Sequence, residues 1–178
     1  MLLGRGLPAV AARVTGYIAR SPVGGSQELP GPVGERNLYI LRPRGRVVAL
    51  AQDAFSTMVQ VGAILATGNE VIVEAANPAA RELARLPAAL AARISTVPSW
   101  QGAAHIAAVL FAGDSAALRE VNRQAAAIDG PIVTVQAVSN AGLAAGTEDY
   151  ELELLLAEVA VSTNTAAAGG NAKLMTIG

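Results

Sequence analysis

Residues 45–73 read GRVVALAQDAFSTMVQVGAILATGNEVIV, and this run decides the fold. Val47 to Ala51 is a short apolar stretch bounded by Gly45 and Asp53, the pattern of a buried strand. Asp53 is suited to cap a helix, and Phe55, Met58, Val59, Gly62 and Leu65 then recur at helical spacing until Gly68 stops them. Val71 to Val73 is the next strand. Strand, helix and strand in so few residues form one right-handed crossover between parallel neighbours.

The same alternation continues towards the C-terminus. Asn77-Pro78 reads as a cap followed by a first-turn proline, ahead of a helix with Leu83, Leu86 and Leu90 on one side and a break at Pro87. Ile94 to Val97 is a third strand, and Ile106 to Phe111 a fourth, continuous enough to be central. Asp114 caps a helix whose apolar stripe is Leu118, Val121, Ala125 and Ile128, ended by Gly130-Pro131. Ile132 to Ala137 is a fifth strand. Four alternations predict an α/β fold: a Rossmann-like, doubly wound, mostly parallel sheet of about five strands, covered on both faces.

The flanks read differently. Residues 1–20 carry Arg5, Arg13 and Arg20 through apolar residues, which fits an amphipathic helix or a frayed end and lacks the continuous apolar core of a secretory signal. Ser21 to Asn37 holds three prolines and four glycines, the composition of an ordered linker or loop. Tyr150 to Val161 is ambiguous: its first half suits a helix, while Val159, Val161 and Thr163 alternate as a strand does. The divisions expected are therefore 1–37 (helix and linker), 38–161 (the α/β domain) and 162–178 (an extended tail).

Composition narrows the function. Thirteen Lys and Arg against fourteen Asp and Glu give a net charge of −1, too little positive field for nucleic acid; the only tight basic cluster is Arg42, Arg44 and Arg46. The absence of cysteine removes disulfides, thiolate metal ligands and a Cys nucleophile, and is compatible with a cytoplasmic protein. No apolar run is long enough to predict a membrane span.

Ligands of a doubly wound sheet sit at the carboxyl ends of its strands. Here those ends carry Asp53, Glu74 and Asp114. Two of them stand where a helix N-terminus would otherwise hold a phosphate, so a pyrophosphate would meet like charge. Glu74 retains the chemistry to accept hydrogen bonds from ribose hydroxyls, so nucleotide binding is weakened rather than excluded. The early GRGLPA has neither a preceding strand nor a third glycine and is no dinucleotide fingerprint. His105, the only histidine, reads as structural, and no Ser-His-acid set or metal constellation can be built around it. Glu151, Glu153 and Glu158 have the spacing of a solvated face. Trp100 reads as a packing anchor over the sheet edge or a contact for a partner. No catalytic, cofactor-binding or metal-binding residue is expected in this domain.

Two family likenesses meet on these elements. PRGRVVALAQDAF (43–55), GAILATGNEVIV (62–73) and AAVLFAGD (107–114) resemble the nucleotide-binding half of aldehyde dehydrogenases. LPGPVGERN (29–37), FAGDSAALRE (111–120), DGPIVTVQ (129–136) and above all the terminal NTAAAGGNAKLMTIG (164–178) resemble, in order, the C-terminal domain of the long proline utilization A proteins. That resemblance implies a parent carrying an FAD-dependent proline dehydrogenase and an NAD-dependent glutamate-semialdehyde dehydrogenase, in an oligomeric cytoplasmic enzyme. It implies that this domain is a decayed copy of the dehydrogenase's nucleotide-binding half. Ala54 stands where the family has an oxyanion-stabilising Asn, Glu74 where it has a Lys near the ribose, and Gln136 where its general-base Glu would lie. A methyl group donates no hydrogen bond, and Gln takes no proton near neutral pH.

The expected role is docking onto the dehydrogenase domain of the same or a neighbouring chain, through an interaction tail of Thr163, Asn164, Thr165, Ala166, Ala167, Ala168, Gly169, Gly170, Asn171, Leu174 and Met175. Its Ala and Gly permit close backbone approach, and Thr163 and Thr165 suit addition to a sheet edge. The other expectation is a nucleotide-binding regulatory module, which rests on the fold alone.

Overall fold

The computed structural model describes residues 3–165. Five strands form the parallel sheet: β3 (Arg46–Ala51), β4 (Glu70–Glu74), β5 (Ile94–Val97), β6 (Ile106–Ala112) and β7 (Thr134–Val138), in the order β5-β4-β3-β6-β7. Every neighbouring pair is parallel. The order reverses between β3 and β6, so the topological switch point lies there.

Alternation along the strands explains the two-faced core. Val47 and Ala49 of β3 join Val71, Val73, Ala108 and Leu110 on one face. Val48 joins Ile72, Val109, Phe111 and Trp100 on the other. Helix α2 (Ala54–Ala66) covers the first face and α5 (Ser115–Ala126) the second. Trp100 is buried in a single 3₁₀ turn (Trp100–Gly102), so it is a packing anchor. His105 adopts a positive φ of 57° at the entry to β6, a position few side chains tolerate.

The N-terminal stretch is an amphipathic helix, α1 (Leu3–Arg20), and it belongs to the body. Tyr17 is fully buried in the first core, and Val14 packs so closely on α2 that a Cβ at Gly62 would lie 2.2 Å from its Cγ2. Asp149 fastens the helix from the other side. It accepts from the Tyr17 hydroxyl and, at 2.8 Å, from Arg20 Nη2; Arg13 Nη1 lies 3.4 Å away. Arg13 also donates to the Leu143 carbonyl at 2.8 Å. Burial and the hydrogen bond to Asp149 push the Tyr17 phenol upward. Burial alone would raise the Asp149 carboxyl too, but Tyr17, Arg20 and the Tyr150 amide outweigh it and hold that carboxyl below its ordinary value.

Three readings need correction. The Pro/Gly-rich stretch is more than a loop: it contains β1 (Ser26–Leu29), and β2 (Glu35–Pro43) begins inside it. Its prolines and glycines fall in the turns before and after β1, leaving SQEL free to pair at an edge. Leu90 does not share the apolar side of Leu83 and Leu86. The chain breaks at Pro87 into α3 (Ala80–Leu83) and α4 (Ala88–Ala91), and Leu90 is 40% exposed. Ile132 lies outside β7 and is exposed, because the strand starts only at Thr134, beyond Gly130-Pro131.

The ambiguous C-terminal segment is resolved as a 3₁₀ turn (Glu153–Leu155) followed by a nine-residue strand, β8 (Leu156–Asn164). Leu155 and Leu156 are anchored in the body, and the strand then leaves it. β8 pairs with β2, and β2 with β1, as a three-stranded antiparallel flap. The division placed between 161 and 162 thus falls inside a continuous strand.

Candidate functional site

Four of the five carboxyl ends of the parallel sheet are occupied by the protein's own groups. After β3, the Asp53 carboxylate accepts from Ser56 N at 2.8 Å and Ser56 Oγ at 2.7 Å, capping α2. After β6, Asp114 Oδ1 accepts from Ala116 N at 2.9 Å and Ala117 N at 2.8 Å, capping α5. These two carboxylates flank the switch point, the crevice where a dinucleotide's phosphates would sit. Ala54 directly follows the Asp53 cap as the first residue of α2.

The ends of β4 and β7 are closed in the same manner. Glu74, at the end of β4, accepts from the Trp100 backbone N–H at 3.1 Å, so a ribose would compete with an internal bond. After β7, Ser139 caps α6 (Asn140–Ala145) by accepting from Gly142 N at 3.0 Å. Ser139 itself donates to Glu148, through its N–H at 2.6 Å and its hydroxyl at 2.8 Å. Those donors hold the Glu148 carboxyl below its ordinary range. Glu148 was not legible as a site residue. It lies nine positions from Ser139, beyond a helix stop, and no sequence period links them.

Gln136 sits on the edge strand and makes a two-way bond with one backbone unit. It accepts from Glu151 N at 2.9 Å and donates to the Glu151 carbonyl at 3.1 Å. An amide satisfies both, whereas a carboxylate satisfies only the first. Behind the same edge lies a buried network that sequence reading also missed. Tyr150 donates to the Phe111 carbonyl at 3.2 Å and accepts from Gln60 Nε2 at 2.8 Å. Burial drives the Tyr150 phenol upward. Two of the three arginines of the basic cluster are held internally: Arg44 Nε donates to the Leu156 carbonyl at 2.9 Å and Arg46 Nη1 to the Ala104 carbonyl at 2.6 Å. Among the described residues there is no group of three His, Asp or Glu able to hold a metal, and no helix long and apolar enough to cross a membrane.

The residues at this edge therefore do not fit a dinucleotide. Its phosphates would face Asp53 and Asp114, and displacing either would strip two donors from a cap.

The flap is the second candidate. The register places Leu38 opposite Val161 and Ile40 opposite Val159, so these four share one face. Tyr39 and Glu158, which are hydrogen-bonded, lie on the other. Of the expected interaction tail, Thr163 and Asn164 belong to β8, and Thr165 N donates to the Gly34 carbonyl at 2.7 Å. Ala166, Ala167, Ala168, Gly169, Gly170, Asn171, Leu174 and Met175 lie outside the described residues. At about 3.4 Å per residue, the nine residues of β8 carry the chain roughly 30 Å along the flap before the tail begins.

A parallel sheet with this strand order, helices on both faces and an antiparallel flap defines an aldehyde dehydrogenase-like Rossmann domain. The fold is shared, at a TM-score of 0.55, with an NAD-dependent benzaldehyde dehydrogenase from Corynebacterium glutamicum, 22% identical over 74% of this chain and 33% of that one. More specifically, the chain is homologous over nearly its whole length to a part of the bifunctional PutA (proline utilization A) proteins. It is 41% identical over 175 residues to bifunctional protein PutA of Rhizobium meliloti, which covers 98% of this chain and 14% of the relative. Against bifunctional protein PutA of Salmonella typhimurium it is 43% identical over 173 residues, 96% of this chain and 13% of the relative. A crystal structure of Bradyrhizobium japonicum proline utilization A superposes with a TM-score of 0.58 and 31% identity over 73% of this chain and 15% of that one. The chain thus spans about one seventh of the curated relatives it matches. No protein-family model matches it.

Proposed function

We propose that this chain is a non-catalytic C-terminal domain of a bifunctional enzyme that oxidises proline to glutamate in the cytoplasm, and that it works by docking. The parent would use FAD in its proline dehydrogenase and NAD in its semialdehyde dehydrogenase; this domain would hold neither. In this reading the flap and tail seat on the semialdehyde dehydrogenase domain, of the same chain or a neighbour in an oligomer, and help to close its active site and the passage of the intermediate. One observation carries the reading. β8 leaves the body at the end of the sheet opposite its carboxyl edge and releases the chain near Gly34, at the far end of the flap. A tail issuing there can reach another domain without unfolding its own.

The test is truncation of the full-length parent at two points. Ending the chain at Thr165 keeps β8 whole and removes only the tail. Ending it at Val161 also shortens β8. The expected result is slower coupled proline-to-glutamate turnover with a lag in product for the first, and a larger defect for the second. Unchanged turnover without a lag in both would defeat the proposal.

The nucleotide-binding alternative is favoured by the Rossmann topology alone. Calorimetric titration of the chain with NAD decides it: heat with a saturable isotherm would support that reading, and its absence at millimolar ligand would remove it.

A further inference from the structure

The flap joins the body through two crossing segments, Pro43–Gly45 leading into β3 and Leu155–Leu156 leading into β8. Two strands meeting a body at one point make a hinge unless something braces them. The brace here is Asn69, in the turn between α2 and β4. Its side chain is buried, with 1% of its surface exposed, and both its N–H donors and its oxygen are hydrogen-bonded. Nδ2 donates to the Leu155 carbonyl at 2.9 Å and to Thr67 Oγ1 at 2.8 Å; Oδ1 accepts from Gly45 N at 2.9 Å. One amide therefore holds both segments of the flap's root against the end of α2. Thr67 is itself fixed, donating to the Ala63 and Ile64 carbonyls at 3.0 and 2.9 Å.

Neighbouring contacts converge on the same point. Arg44 N donates to the Leu155 carbonyl at 3.3 Å and Arg44 Nε to the Leu156 carbonyl, tying the two root segments to each other. Pro43 packs over Gly68, whose φ is +73° and where a Cβ would come within 2.9 Å of the proline ring. Arg93 Nη2 donates to the Gly68 carbonyl at 2.6 Å from the side of β5. None of these residues faces the carboxyl edge, and their purpose is otherwise unexplained by a simple hairpin.

We propose that Asn69 is a positioning residue that fixes the direction in which the flap projects, so that the flap is a rigid arm rather than a swinging hairpin. Its amide hydrogen-bonds to both root segments and to the end of α2 at once, where the Glu70 N–H ties only the Gly45 carbonyl, at 2.8 Å. Replacing it leaves each strand pair and the buried Leu155 and Leu156 in place but removes the side chain that fixes the angle between the root and α2.

The chain lacks cysteine, so a pair of spin labels can be introduced cleanly. Val33→Cys marks the exposed turn of the flap and Arg119→Cys the exposed side of α5. In the otherwise native chain the interspin distance distribution is expected to be a single narrow peak. With Asn69→Ala the peak is expected to broaden or split, the released population rising about tenfold on loss of the buried bonds. Thr67→Val keeps the shape and keeps Asn69 but removes the acceptor that orients its amide; an intermediate broadening is expected. It also decides the matter if Asn69→Ala fails to fold. Far-UV circular dichroism establishes that each labelled variant is folded. A distribution that stays as narrow as the native one in the folded variants would overturn the proposal. A general loss of stability would not mimic the effect, because the distance is read in the folded population.

Discussion

β6 and β8 are drawn from much the same residues and end in opposite environments. β6, IAAVLFA, is buried along almost all of its length; β8, LAEVAVSTN, is exposed beyond its first residues. The difference lies in what covers them. A parallel strand comes with crossover helices on both faces, so its side chains have partners supplied by the same chain. Among the described residues the flap has no helix of its own on either side, and three strands are close to the least that can stand alone in water. Its register nevertheless groups Leu38, Ile40, Val159 and Val161 on one face. The body spends its apolar residues on its own core, and the flap presents them outward. That division is consistent with the docking role proposed above.

The largest expected effect tests the division directly. Leu110→Ala, at a fully buried position of β6, should cost about 2–5 kcal/mol in urea unfolding. Val161→Ala on the flap, where the residue is 36% exposed, should cost under about 1 kcal/mol. Equal costs would mean that the flap is folded into a core of its own, and the contrast drawn above would fail.

How much of this was legible in the sequence follows the same boundary. The parallel sheet was readable because β3, β4 and β6 hold continuous apolar runs and α2 and α5 open on Asp and end near Gly, all signals within a few residues. The flap was not, because β2 and β8 find each other across more than a hundred residues, and each alone is a mild alternation interrupted by Arg42 or Glu158. The filled carboxyl edge was half legible. Asp53, Glu74 and Asp114 stand at strand ends by local pattern, whereas Glu148 and the Gln136 bond to Glu151 exist only through the fold. Ala54, Gln136 and the missing cysteine were visible as departures from a family pattern, but only the structure gives Gln136 a positive role.

Next in size is the buried network behind the edge. Tyr150→Phe removes the oxygen that accepts from Gln60 and leaves an amide N–H short of a partner in the core, at a cost of about 1–3 kcal/mol. The pH dependence has a definite sign. Burial raises the folded-state value of Tyr150, so its stabilisation is complete below the unfolded value near 10 and is lost as pH rises beyond it. The native chain should lose stability on the alkaline side, and the Phe variant should lose less over the same range. Parallel curves would indicate that Tyr17, also raised by burial, carries the alkaline loss instead.

Asp149→Asn loosens α1 from the body and should cost roughly 1 kcal/mol, since the carboxylate is partly solvated and its ion pairs are screened. The folded-state value of Asp149 is depressed, so its contribution is present above the unfolded value of about 3.9 and disappears as pH falls through the folded one. The native and Asn chains should therefore converge in acid. Limited proteolysis should cut first within α1 in the variant, leaving the flap no more exposed than before. Early cutting in β8 would show that the helix and the flap are coupled, which the contrast between body and flap does not allow.

The smallest effect lies where the two regions join. Gln136 of the edge strand holds Glu151, just upstream of the turn that feeds β8, by giving and taking one hydrogen bond each. Gln136→Glu introduces the carboxylate that the resemblance to aldehyde dehydrogenases implies for this position, with almost no change in shape. A carboxylate still accepts from Glu151 N but faces the Glu151 carbonyl without a proton to donate. We expect a loss of about 0.5–1.5 kcal/mol at neutral pH. The loss should be recovered as pH falls below about 4, where the acid is protonated and donates again. No aldehyde oxidation should appear, because the nucleophile would still be missing and the crevice would still be filled by Asp53 and Asp114. A variant that gained turnover would mean that the edge is an idle active site. A variant that lost stability without gaining turnover would mean that Gln136 serves to hold the segment that feeds β8.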